Sequence, residues 1–129
     1  MKTLIALEEA ALTGAALYFL GQQPLSLPPW AWALLFFAPD ASMLGYAAGP
    51  RAGAVAYNMA HHRGGALGVV AAGYFGGYEV LLVAGLLLFA HASFDRVFGY
   101  GLKYATGFAH RHLGFVGKQK SSGSAYREA

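Results

Sequence analysis

Residues 78–98, YEVLLVAGLLLFAHASFDRVF, decide how the rest of the chain is read. From Val80 to Ala90 every residue is apolar or small, and no proline interrupts the run. About 20 mostly apolar residues are what a helix needs to cross the hydrocarbon core of a bilayer. The last third of the same stretch nevertheless carries His91, Asp95 and Arg96. Ionisable groups in hydrocarbon cost several kcal/mol, so they tend to face a bundle interior and to be paired or functional.

Working outward from that segment, three more stretches have the same character. They cover about residues 3–20, 30–48 and 51–75, and each carries its own titratable group: Glu8, Asp40 and His61. Between the first two lies QQPLSLPP, whose Pro24, Pro28 and Pro29 cannot share a helix interior. Pro39 is expected to kink the second segment beside Asp40. Gly49-Pro50 and Gly76-Gly77 mark tight turns. The third segment contains HHRGG at its centre, which leaves open whether it is continuous through 61–65. The expected fold is all-α: a compact antiparallel bundle of four transmembrane helices. It occupies a single domain, residues 1–117, with a cytoplasmic Gly/Tyr-rich segment after the fourth helix. Tyr100, Tyr104 and Phe108 are placed there as an interfacial belt. Residues 118–129 form a polar tail of disordered composition.

Composition agrees with that reading. The chain is 57% hydrophobic and 12% charged, where soluble domains carry about 25% charged residues. Its 18 glycines suit helices that approach one another closely in a membrane. The absence of cysteine excludes disulfides and thiolate metal sites. The net charge of +3 collects towards the C-terminus without a basic face of stacking aromatics, so no nucleic acid is expected as a partner. Glu8 and Glu9 inside the first apolar run argue against a signal peptide. Lys2, Arg51, Lys103, Arg111, Lys118 and Lys120 fall on one side of the expected topology. By the positive-inside rule the protein is expected to be a multi-pass component of the inner (cytoplasmic) membrane with both termini cytoplasmic. At about 1.5 Å rise per residue, the polar groups of all four segments fall in one layer, roughly 5–15 Å from the cytoplasmic ends.

Within that layer, His91 and Asp95 are spaced i, i+4 on one helix face. That spacing fits two ligands of one metal or a histidine oriented by a carboxylate; the structural alternative pairs Asp95 with Arg96 or Lys103. Asn58, His61 and His62 lie at i, i+3, i+4, and His61 is taken as the inward histidine with Asn58 as polar support. Asp40, next to Pro39, either binds backbone groups freed by the proline or projects into a cavity as ligand or base. Adjacent Glu8 and Glu9 point about 100° apart, and Glu8 is taken as the inward one, with a salt bridge to Arg96 or Arg63 as its structural alternative. Arg96 is placed as polar support to Asp95 or Asp40. His110 and His112, two apart and beyond the spans, do not converge on a helix.

Three stretches taken together carry a family resemblance: FAPDASMLGYAAGPRAGAVAYNMAH (37–61), AHASFDRVFGYGLKYATGF (90–108) and HLG (112–114). The combination PD-x-S-x-x-G-Y, YN-x-x-H and H-x-x-x-DR-x-x-GYGLKY resembles that of a prokaryotic membrane-protein family, the domain of unknown function 4260 family. The chain departs from that pattern at Ala109-His110-Arg111. The resemblance implies a small multi-helix membrane protein and carries no activity to transfer.

Three functions fit these residues. In the first, His61, His91 and Asp95 bind zinc, or iron or manganese, with Asp40 as ligand or base and Glu8 as base or supporting group. A metal with an open position brings its water to a pKa of about 7 and allows attack on a lipid ester or amide. Multi-helix lipid amidases offer an analogy for this chemistry. In the second, the polar cluster only ties helices together, and the protein binds lipids or a partner. In the third, the same residues relay protons in a small transporter, which with only four helices requires a homodimer.

Overall fold

The computed structural model describes residues 1–100, together with the backbone of two short strands, His110–Arg111 and Gly114–Phe115, which pair antiparallel. The expectations for Tyr104, Phe108, the side chains of His110 and His112, and the tail 118–129 lie outside the described residues. Residues 1–100 are all-helical: α1 (Lys2–Gly21), α2 (Pro29–Phe37), a 3₁₀ helix (Ala38–Ala48), α3 (Pro50–Ala60), α4 (Arg63–Gly76) and α5 (Glu79–Val97).

Of the four expected spans, two are helices long and apolar enough to cross a membrane, α1 and α5. The other two are interrupted, each for a local reason. In the second, the backbone leaves α-helical geometry at Ala38–Pro39, and a 3₁₀ run continues to Ala48 in place of a kinked α-helix. Proline lacks the N–H that an α-helix needs and crowds the preceding turn, so the tighter i→i+3 pattern takes over. The third breaks between α3 and α4, where His62 adopts an extended backbone ahead of Gly64 and Gly65, both poor helix formers. His62 then serves as the N-cap of α4, its Nδ1 accepting the Gly65 N–H at 2.9 Å.

α5 is the central element, packed mainly against α1 and α4, while α3 lies along the 3₁₀ helix. Its buried residues, including Val83, Leu86, Leu87, Ala90, His91 and Ser93, cover more than one face, as a helix between two neighbours requires. Leu20, Val83, Leu86 and Leu87 form the apolar core, with Trp32, Phe36 and Val70 packed on it. α4 approaches α5 so closely that a Cβ on Gly85 would lie 2.6 Å from the Val70 nitrogen, and one on Gly73 would meet the Leu82 backbone. Close approach through small residues is how helices associate where burial from water contributes little. Many large apolar side chains point outward, among them Leu4, Leu7, Trp30, Leu34, Phe75 and Val80.

α1 buries Glu9, Thr13, Ala16 and Leu20, a stripe at i, i+4, i+7, i+11. Glu9, and not Glu8, therefore turns inward. One residue off the stripe, Glu8 is rotated about 100° away and is exposed.

Candidate metal centre

Asp40 from the 3₁₀ helix, His61 from the end of α3, and His91 and Asp95 from α5 converge. One ligand atom from each lies within 4.8 Å of the other three. His91 Nε2 stands 3.1 Å from His61 Nε2 and 3.3 Å from Asp40 Oδ1. His61 Nε2 is 3.3 Å from Asp95 Oδ2 and 3.6 Å from Asp40 Oδ1, and the i, i+4 pair His91–Asp95 is 3.7 Å apart. Both histidines are buried, Asp95 is largely so, and Asp40 remains 39% exposed.

Local structure explains each position. Asp40 sits in the first turn of the 3₁₀ helix, so the change of helix type at Pro39 sets its direction. His61 is the residue at which α3 ends, which frees its ring to reach beyond the helix. Its Nδ1 lies 2.9 Å from the Tyr57 carbonyl oxygen. A carbonyl only accepts, so Nδ1 carries the proton and Nε2 faces the cluster with its lone pair. Tyr57 also supports the site directly: its ring stacks on the His61 imidazole at 3.8 Å, and its hydroxyl donates to Asp95 Oδ2 at 3.1 Å. His91 is held edge-on by Phe36 and Phe37, and its Nδ1 has no hydrogen-bond partner among the described residues.

Proton bookkeeping shows what this arrangement lacks. With both imidazoles neutral and His61 protonated on Nδ1, His91 can supply at most one N–H to the four converging atoms. The contact between His61 Nε2 and Asp95 Oδ2 then sets a lone pair against a carboxylate. Like-charged and acceptor-only groups this close require an added proton or a cation. No arginine provides it: among the described residues Arg63 pairs at 2.6 Å with Glu9, over the Phe89 ring, and no Arg–Asp ion pair reaches the cluster.

The other sequence candidates fall outside the four. Glu8 is exposed, a correction to its expected inward placement; the pairing foreseen for it with Arg63 belongs to Glu9. Asn58 is half-buried next to Tyr57, and Arg96 is half-buried beyond Asp95. Sequence reasoning passed over Tyr57 as a supporting residue. Its signal was the i, i+4 spacing Tyr57–His61, which puts ring over ring on one helix face.

Beside the cluster is an apolar cavity of about 620 Å³ between α1, α2 and α5. Phe36, Phe37 and Phe94 belong to its wall, and the first two also touch His91.

The chain belongs to the family described as Domain of unknown function (DUF4260), whose model matches residues 2–116. All four clustered residues lie inside that match. No curated protein and no solved structure matches the chain.

Proposed function

We propose that this family member is an integral membrane metalloprotein. In this reading it holds zinc, or a related divalent transition metal, on His61, His91 and Asp95, and hydrolyses an ester or amide bond of a membrane lipid. The observation that carries this reading is the convergence of two imidazole nitrogens and two carboxylate oxygens with no Arg or Lys ion pair to them among the described residues. The spacing supports it further. Ligands about 2.0–2.1 Å from a tetrahedral zinc are about 3.3–3.4 Å apart; the five separations that involve a histidine run from 3.1 to 3.7 Å, and the whole set lies within 4.8 Å. The donor set, two imidazole nitrogens and carboxylate oxygens, suits zinc among the first-row ions, with iron or manganese as substitutes.

The chain's own residues divide the work by exposure. His61, His91 and Asp95, the enclosed members, would hold the metal, as catalytic zinc sites use three protein ligands. Asp40, the exposed member, would serve as displaceable ligand or base. A bound zinc supplies Lewis acidity and makes water nucleophilic near neutral pH. Asp40 takes a proton from the attacking water and delivers it to the departing alcohol or amine as the carbonyl C–O or C–N bond breaks. Tyr57 orients both His61 and Asp95, as outer hydrogen bonds do in zinc sites. Placement in a bilayer, with both termini cytoplasmic and lipid around the outward apolar side chains, is part of the proposal; α1 and α5 support it by length and composition.

Elemental analysis of the detergent-purified protein beside His91→Ala and Asp40→Ala variants tests this. Stoichiometric zinc, iron or manganese, lost when His91 is removed and lost or weakened without Asp40, is the expected result. Folded protein that takes up no ion after reconstitution with each would sink the reading and leave the cluster a protonated helix tie.

A further inference from the structure

We infer that the cavity between α1, α2 and α5 is the site for the aliphatic chain of the lipid whose polar head meets the cluster. The inference rests on the hydrolase reading for its head-group end only; the chain site itself stands on the cavity.

The lining is predominantly apolar. Leu17 and Leu20 come from α1, Trp32 and Phe36 from α2, and Leu87 and Phe94 from α5, with Gln23 as the polar exception. The Gln23 side-chain amide already donates one N–H to the Phe19 carbonyl at 3.0 Å, and the other polar side-chain group of the lining is the Trp32 indole N–H. A charged ligand finds no charged partner and few polar groups in this wall to replace its lost water, whereas a hydrocarbon chain needs none. The volume, about 620 Å³, lies inside the range of about 300–1,000 Å³ usual for small-molecule sites.

Continuity with the cluster points to one molecule serving both. On α5 the series Leu87, His91, Phe94 runs along a single face at i, i+4, i+7, so buried His91 lies directly behind the cavity wall, between two residues that line it. On the other side, Phe37 ends α2 at the cavity, and Asp40 follows one 3₁₀ turn later, about 6 Å along the helix axis. A chain seated in the cavity thus leaves its head beside Asp40, the exposed edge of the cluster, while Phe36 and Phe37 screen buried His91 from the chain. A single-chain or acyl lipid fits this layout; a compact polar substrate uses only half of it.

The test uses the full-length protein in lipid nanodiscs, with hexadecanoic acid carrying a diazirine near its methyl end as probe. After irradiation, label is mapped by mass spectrometry and competed with plain hexadecanoic acid. The expected result is saturable label on Leu17–Leu25 and Trp32–Phe37, lost in Ala33→Trp, which fills the cavity from the exposed face of α2. Leu17→Trp fills it from α1 and serves if the first variant misfolds. Uncompeted label spread over all outward apolar surfaces, unchanged in both filled variants, overturns the chain site. Zinc measured on the same samples separates the two ideas. Zinc-loaded protein with unsaturable label refutes the chain site alone, and metal-free protein with saturable label upholds it and refutes the metalloenzyme.

Discussion

Replacing Tyr57 with phenylalanine should weaken zinc binding by about tenfold without unfolding the protein. The substitution keeps the ring stacked on His61 at 3.8 Å and keeps the backbone carbonyl that accepts from His61 Nδ1. It deletes only the hydroxyl that donates to Asp95 Oδ2 at 3.1 Å. A hydrogen bond to a charged group contributes about 1.5–3 kcal/mol. At 3.1 Å this one is longer than the usual O–H···O range of about 2.5–3.0 Å, so the lower value applies. About 1.5 kcal/mol is slightly more than tenfold in affinity, inside the roughly 10–100-fold range for outer partners of metal ligands. The assay is a zinc titration of metal-stripped protein in detergent against a chromophoric chelator. Tyr57→Ala, which also loses the stack, should bind more weakly still, by about a further 0.5–1.5 kcal/mol if the ring pair behaves as an aromatic pair. Wild-type affinity in Tyr57→Phe would refute the idea that Tyr57 organises the site. Complete loss of zinc from a folded Tyr57→Phe would equally show that the hydroxyl is not a mere outer partner.

Three further outcomes concern the scaffold. Arg63→Ala strands buried Glu9 without its partner and should cost about 3 kcal/mol, at the low end for a broken buried pair because Arg63 is 27% exposed; Glu9→Gln in the same background should recover part of it. Glu8→Gln should leave the thermal midpoint unmoved, and a large fall there would contradict the assignment of Glu9 as the inward residue. Gly85→Ala forces a methyl to within 2.6 Å of the Val70 nitrogen and should destabilise by about 1–3 kcal/mol, read as a lower unfolding temperature in the same detergent. An unchanged midpoint would mean that α4 and α5 do not pack as closely as described.

Much of this molecule is written in short-range pattern. The apolar runs with their proline and glycine boundaries made the helical class legible, because helix formation and termination depend on neighbours a few residues away. The i, i+4 pair His91–Asp95 was legible for the same reason, and Asp40 and His61 stood out as titratable groups in apolar surroundings. The stripe Glu9, Thr13, Ala16, Leu20 was there to be read as well, but choosing between adjacent glutamates needed the knowledge that Leu20 joins the core. Tertiary structure alone decided the rest. Periodicity says which residues share a face of one helix; it does not say how that helix is rotated, or how far it slides along its neighbour. Only packing placed atoms of Asp40, His61, His91 and Asp95 within 4.8 Å, put the Tyr57 hydroxyl on Asp95, and left a cavity where α1, α2 and α5 fail to close. These depend on contacts between residues tens of positions apart, set by the close approach of α4 to α5 and by the breaks at Pro39 and His61.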